Sequence, residues 1–311
     1  MGCTAITATV NDAVLALASA KRVSSLIGTF LGGVHPTFMW KEILETPGSP
    51  VDFVIRGEGE AAAPELLDRL ISGKAALDVP GVAGRDSDGG AAAGPCRPDA
   101  PDLDLLPAAW ELLDWKIYTF RPRPGSVSAI LSSSRGCEQS CSFCSQQKFW
   151  GKHWRARSPE SFVNELERLN RDFGVSIAML ADETPTVDRE RWRRILDMLI
   201  KRKTGVELML ETRAEDIVRD RERMADFRRA GIVHIYIGVE SQSQKTLDLF
   251  KKDQKVETSR EAIRLINEAG IISETAFVLG MPDETPESIR STVKAALDYN
   301  PDMAFFMAIA P

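Results

Sequence analysis

The sequence predicts an α/β protein: a partial (β/α)6 barrel preceded by a truncated doubly wound, Rossmann-like domain. Three observations lead there. From residue 126 onward, short strand-like runs alternate with amphipathic helical patterns six times, and such alternation implies a parallel sheet. Polar residues gather where those strands end, at Asp182-Glu183, Glu211-Thr212-Arg213, Glu240-Ser241 and Asp283-Glu284, the edge on which barrel enzymes place their sites. Before residue 74 the same alternation yields only three strands, where a doubly wound domain has five or more.

Three segments follow: an α/β region over 1–73, a hairpin and linker over 74–125, and the barrel over 126–311. In the first, "CTAIT" reads as a strand and "NDAVLALASAKRV" as a helix with Asn11 or Asp12 near its N-cap. "TFLGG" is a strand closing on Gly32 and Gly33, "DFVIRGEGE" a strand running into a turn, and "AAAPELLDRLIS" a helix. His35 reads as a turn or linker residue. In the second, "GVAGRDSDGGAAAGP" is turn-rich and reads as a hairpin tip, and "RPDAPDLDLLPAAWELLDW" as a linker packed on the surface. In the third, the strands are "SVSAILSSS", "VSIAMLADE", "VELMLETR", "VHIYIGVES", "ISETAFVLGMP" and "MAFFMAIAP". Between them lie helices over 158–174, 188–202, 221–231, 256–270 and 285–300. The first opens with Ser158 as N-cap and Pro159 in its first turn; two others close on Gly231 and Gly270.

Composition narrows the function. With 43% hydrophobic and 27% charged residues, the 311-residue chain has an ordinary globular balance. A net charge of −6 without a long basic run argues against nucleic acid as a partner. No run of about 18 apolar residues occurs, so no integral membrane segment is expected. The N-terminus lacks the basic start of a signal peptide. Five unevenly spaced cysteines fit ligand chemistry in a reducing, cytoplasmic compartment better than a disulfide framework.

Three of those cysteines, Cys137, Cys141 and Cys144, form C-x3-C-x2-C in the loop after the first barrel strand. A structural zinc takes four ligands, and His153 is the only histidine near. Thiolates also hold iron–sulfur clusters, and three of them on a four-iron cluster leave one iron open to a substrate or cosubstrate. Zinc completed by His153, a disulfide beside a free thiol, and an electron-transfer cluster with a remote fourth cysteine are the other readings of the same residues. The flap that follows, "QQKFWGKHWRAR", mixes aromatic and basic residues; the net charge favours packing over the loop rather than base stacking.

This motif in this place, with Phe143 just before the third cysteine, resembles the radical S-adenosylmethionine (SAM) superfamily. The resemblance implies a [4Fe-4S] cluster on the three cysteines and reductive cleavage of SAM to methionine and a 5′-deoxyadenosyl radical. It also implies site roles. Phe143 would line the adenine side. Glu183, in "LADE" where the family has a GGE-like motif, would contact the SAM amino group; as a plain alternative it is an acid at a helix start. Arg213 would pair with the SAM carboxylate, or else with Glu211 or Glu240. Glu240 would bind the ribose hydroxyls or the amino group, and Gly280 would let adenine approach the backbone, or simply end a strand.

"LGGVHPTFMWKEIL" and "DFVIRGEGE" resemble the later part of a cobalamin-binding domain. Thr7, Thr9, Gly32 and Gly33 would then be cobalamin contacts, while the D-x-H-x-x-G stretch that supplies a lower axial histidine in many such domains is absent. "CSFCSQQKFW", "LADETPT", "ETRAEDIVRD", "AGIVHIYIGVES" and "ISETAFVLGMPDET" resemble the anaerobic magnesium-protoporphyrin IX monomethyl ester cyclase and hopanoid C-3 methylase families. The implied activity is cobalamin-dependent methylation of a small hydrophobic, hopanoid-like substrate, or oxidative cyclisation of a tetrapyrrole. A truncated, non-catalytic cluster-binding protein is the remaining reading. A low-potential electron donor such as flavodoxin or ferredoxin is the expected partner, and the location is cytoplasmic, at the membrane surface if the substrate is a lipid.

Overall fold

A computed structural model describes residues 1–100, 102–106 and 108–309. The chain forms two compact units, Met1–Pro101 and Asp102–Pro311.

In the first unit, β1 (Gly2–Thr4), α1 (Val10–Val23), β2 (Phe30–Gly32), β3 (Phe53–Ile55) and α3 (Ala62–Ile71) follow the expected order, with α2 (Val34–Glu45), a helix not expected, between β2 and β3. The strands pair in parallel in the order β1-β2-β3. The sheet then continues where the sequence suggested only a hairpin outside it. Strand β4 (Val82–Arg85) pairs antiparallel with β3, and β5 (Ala91–Ala93) with β4, so the sheet has five strands rather than three. Alanine and glycine carry weak strand signals, yet Val82 and Ala83 are fully buried against this sheet's helices. Helix α1 starts one residue before the expected cap region, with Thr9 as N-cap rather than Asn11 or Asp12. His35 lies in the first turn of α2, not in a turn or linker, because Gly33 at φ +101° turns the chain directly into the helix.

The second unit opens with three short 3-10 turns, Leu103–Leu105, Trp110–Leu112 and Trp115–Ile117. They dock indoles on the barrel: the Trp110 indole donates to Glu165 at 2.8 Å, and Trp115 stacks on Phe173 at 5.2 Å between centroids. The expected linker over 97–115 therefore divides at this point, with Pro101 and Pro107 outside the described residues. Then come β6 (Val127–Leu131), a small ribbon of β7 (Ser134–Arg135) and β8 (Arg155–Ala156) enclosing the short α4 (Gln146–Phe149), and α5 (Pro159–Phe173). After them run β9 (Val175–Leu180), α6 (Arg189–Arg202), β10 (Glu207–Thr212), α7 (Ala214–Arg219) and α8 (Met224–Arg229). The chain goes on through β11 (Ile232–Glu240), α9 (Gln244–Leu249), α10 (Val256–Glu268), β12 (Ile272–Leu279), α11 (Pro286–Tyr299) and β13 (Met303–Ala308). Helices α4, α7 and α9 were not expected, and α8 is shorter than the helix expected over 221–231. The last two residues of the expected sixth strand, Ala310 and Pro311, lie outside the described residues.

Six strands form one parallel sheet in the order β13-β12-β11-β10-β9-β6, curled into a half-barrel. Side chains alternate across it. Leu208, Leu210, Ile235, Ile237 and Phe277 face the helices and join a core with Phe162, Trp192 and Phe227, all nearly solvent-free. Burying each such side chain contributes roughly 1.5–3 kcal/mol. The alternate residues, among them Met209, Glu211, His234, Tyr236 and Glu274, take the concave face. Cap chemistry fits: the Ser158 hydroxyl accepts the Ser161 N–H at the start of α5, and Gly174 ends it in the left-handed conformation.

Candidate active site

The cysteine loop hangs from the end of β6 and is fixed at both roots. Asp182, at the end of β9 and 2% exposed, accepts hydrogen bonds from the Ser133 N–H (2.7 Å), the Ser133 hydroxyl (2.6 Å) and the Ser134 hydroxyl (2.6 Å). Burial pushes its carboxyl up, against these three donors and the nearby Arg191 cation. Arg191, from the first turn of α6, donates to the carbonyls of Ser133 (2.6 Å), Arg157 (2.7 Å) and Pro185 (3.3 Å). The β7–β8 ribbon closes the loop. At its neck Gly136 sits at φ +94°, and a Cβ there would stand 1.8 Å from the His153 carbonyl oxygen. Only glycine fits this position.

Within the loop, both carboxylate oxygens of Glu183 are engaged. One accepts the Gly136 N–H at 3.0 Å and the other the Trp150 indole N–H at 2.6 Å. From the opposite side, the Phe250 carbonyl just after α9 accepts the Ser142 N–H at 2.8 Å, and the Phe250 ring meets Phe143 edge-on at 5.0 Å. The Cys141 carbonyl accepts from the Cys144 N–H (3.2 Å) and the Gln147 side chain (2.7 Å). The flap packs on itself and on the barrel: Phe149 meets Trp150 at 4.7 Å, and the Trp154 indole donates to the Thr184 carbonyl at 3.0 Å.

Cys137, Cys141, Cys144, Phe143, Glu183, Arg213 and Glu240 all line one cavity of about 410 Å³ over the C-terminal edge of the half-barrel. Gly280, at φ +94°, is not among its lining residues. Among the described residues, no three His, Cys, Asp or Glu side chains close on a single metal ion. The three thiols instead stand around the cavity near enough for their charges to interact. That arrangement suits a cluster of several irons. Burial pushes the Cys141 and Cys144 thiols up, so a metal held here would be what stabilises their thiolate forms.

Glu240 is 7% exposed and holds a left-handed backbone at φ +61°, which is uncommon outside glycine. Its carboxylate pairs with Lys252 at 2.6 Å, and the same ammonium donates to the Gly238 carbonyl at 2.7 Å. Arg213 pairs with Glu215 at 3.2 Å and donates to the Asp253 carbonyl at 2.5 Å, not to Glu211 or Glu240, the alternative partners read from the sequence. Lys252, Trp150 and Asp182 were missed as site-forming residues. Trp150 and Lys252 lie in segments without periodicity, and Asp182 stood in the noted polar cluster but gave no sign of which residue it would clamp.

In the first unit, the loops after β1 and β2 meet at the C-terminal edge of the sheet, where open α/β sheets take ligands. The Thr7 hydroxyl and His35 Nδ1 are 3.1 Å apart. The Thr9 hydroxyl is committed to its own turn, accepting the Ile6 N–H at 3.2 Å. At Gly33 a Cβ would come within 2.6 Å of the Ala5 carbonyl, whereas at Gly32 nothing stands closer than 3.8 Å. Gly32 thus offers bare backbone at the edge, and Thr7 and His35 offer polar groups beside it, a donor set compatible with a large ring ligand.

Residues 131–296 match the family model of the radical SAM superfamily, and residues 1–67 that of the B12 binding domain. The chain is 39% identical over its whole length to the anaerobic magnesium-protoporphyrin IX monomethyl ester cyclase of Rubrivivax gelatinosus, covering 56% of that protein. It is 29% identical, over 78% of its length, to the hopanoid C-3 methylase of Methylococcus capsulatus, covering 45% of that protein. The chain thus spans about half the length of these curated relatives. Its fold matches that of the radical SAM methyltransferase TsrM from Kitasatospora setae, solved with cobalamin and a [4Fe-4S] cluster, with a TM-score of 0.84 at 19% identity over 99% of this chain and 63% of that one. The half-barrel, the three-cysteine loop at its mouth and the B12-type sheet ahead of it make one assignment: the chain belongs to the radical SAM superfamily and is an enzyme whose cofactors are a [4Fe-4S] cluster, SAM and cobalamin.

Proposed function

We propose that this enzyme carries out an anaerobic oxidative cyclisation on a magnesium-porphyrin ester, the chemistry named in its cyclase relative. The supporting observation is 39% identity over the full chain, against 29% over 78% of it for the methylase. The sequence alone had put methylation first, and that remains the second reading, favoured by the methylase likeness and by the cobalamin-type first unit.

In this reading Cys137, Cys141 and Cys144 hold the cluster, which with SAM supplies the radical that begins the reaction. Asp182, Arg191 and Glu183 hold the loop still, so that the cysteines keep one spacing through reduction. Glu183, Arg213 and Glu240 orient SAM by its charged groups and ribose, with Phe143 on the adenine side; Gly280, outside the cavity lining, serves only to end β12. Lys252 neutralises Glu240 and holds it in its strained backbone state. Thr7 and Gly32 face cobalamin, while the Thr9 hydroxyl stays in its own turn and Gly33 packs on the Ala5 backbone. A flavodoxin- or ferredoxin-type donor supplies electrons. Among the described residues no helix is long and apolar enough to cross a membrane; a cytoplasmic location, at the membrane surface for a lipid-soluble substrate, is part of the proposal.

Quantifying SAM-derived products beside consumption of magnesium-protoporphyrin IX monomethyl ester tests it. Cyclisation predicts substrate loss without S-adenosylhomocysteine. One S-adenosylhomocysteine per product would move the assignment to methylation.

A further inference from the structure

The rim of the cavity is accounted for by the cluster and SAM; its floor on the concave sheet is not. There Glu211 on β10 lies directly opposite Tyr236 on β11, and Tyr236 opposite Glu274 on β12. All three take the concave face. Four carboxylates crowd this region, and three stand beside a donor or a basic group. Glu183 accepts two N–H groups, Glu240 is paired with Lys252, and Glu274 lies 2.7 Å from His234. Glu211 has no hydrogen bond or ion pair among the described residues, and neither does the Tyr236 hydroxyl; both open onto the cavity. Around them the concave face is apolar and uncovered: Ile130 is 64% exposed, Met179 43%, Phe305 49% and Met307 48%. A few unsatisfied polar groups in an apolar wall are how a pocket fixes a substrate's orientation.

From this floor we infer that Glu211 and Tyr236 are the specificity-determining contact for the substrate, receiving a neutral oxygen such as an ester or ketone carbonyl and disfavouring a free carboxylate. The phenol is a hydrogen-bond donor, and so is a carboxyl in its acid form. An ionised Glu211, with no counter-cation of its own, repels a carboxylate in the same place. Burial behind protein walls, together with the charges of Glu183, Glu240 and Glu274 and against the Lys252 cation, raises the Glu211 carboxyl to about 7, so both forms occur near neutrality: the acid form donates to a bound oxygen, and the ionised form repels an anion. The inference rests on the tetrapyrrole reading, in which the esterified side chain of the macrocycle would point to this floor.

Fluorescence titration of the cluster-loaded protein with magnesium-protoporphyrin IX monomethyl ester, and with the unesterified magnesium-protoporphyrin IX, tests it. The ester is expected to bind at least about tenfold more tightly. Glu211→Gln should bring the two ligands to within about threefold, mainly by improving the diacid, and Tyr236→Phe should weaken the ester, both with an unchanged SAM dissociation constant. Equal binding of ester and diacid by the wild type would overturn the inference and leave the tetrapyrrole reading standing. Parallel loss of SAM affinity in both variants would overturn it too, by giving the pair to SAM. Binding of neither porphyrin would remove the tetrapyrrole reading, and the inference with it. Iron content and the cluster absorbance of each variant report whether it has folded.

Discussion

The Trp150 indole donates to Glu183 at 2.6 Å, tying the flap beyond the cysteines to the end of the next barrel strand. The other oxygen of the same carboxylate holds Gly136, the residue before the first cysteine. One acid thus clasps both ends of the cysteine loop. Glu183→Ala would leave two donors without their acceptor, at a cost of about 1–3 kcal/mol for each that remains buried. The cluster of this variant should bleach several-fold faster than that of the wild type under chelator, and Trp150→Phe should show a smaller change in the same direction. Absorbance decay under anaerobic chelation measures both.

Gly136→Ala should be the most damaging change to the loop that leaves every ligand in place. A left-handed φ costs a non-glycine residue about 1–3 kcal/mol, and the new Cβ would also collide with the His153 carbonyl. Anaerobic reconstitution should give less than half of the wild-type iron, although all three cysteines remain. Full iron loading of this variant would show that the ribbon need not close.

Cys137→Ala, Cys141→Ala and Cys144→Ala should each abolish the brown four-iron chromophore after reconstitution. Iron analysis checks this directly, and full iron in all three variants would remove the cluster assignment.

Much of this was legible in the sequence and some was not. The six barrel strands could be read because each is a compact apolar run followed by a helix with a marked start or stop, such as Ser158-Pro159 or Gly231. The cysteine loop could be read because its spacing is local. What escaped depends on contacts between distant segments. Lys252 reaches Glu240 only because the chain turns back after α9. The β4–β5 hairpin looked like free turn chemistry, since Ala91–Ala93 has no strand signature until β4 gives it a partner. Glu183 was legible as an acid at a strand end, but its two donors lie 33 and 47 residues away.

Stability should depend on pH through Glu211. Its folded-state pKa of about 7 lies above the ordinary glutamate value, so between about pH 4.5 and 7 the folded protein binds more protons than the unfolded chain. That group's contribution is therefore most favourable at low pH and is lost as pH rises through 7. Denaturant midpoints of the wild type should fall across this window relative to Glu211→Gln, which should be the more stable of the two at pH 8. Parallel profiles for the two proteins would contradict a perturbed Glu211.

If the three-cysteine cavity is a working SAM-cleaving site, it must release 5′-deoxyadenosine. The most direct measurement is 5′-deoxyadenosine by mass spectrometry, after anaerobic incubation of the reconstituted protein with SAM and a low-potential reductant, beside Cys141→Ala as control. The wild type should yield 5′-deoxyadenosine, and Cys141→Ala none above background. No 5′-deoxyadenosine from wild-type protein carrying a full iron complement, or equal amounts from both proteins, would contradict SAM cleavage at this site.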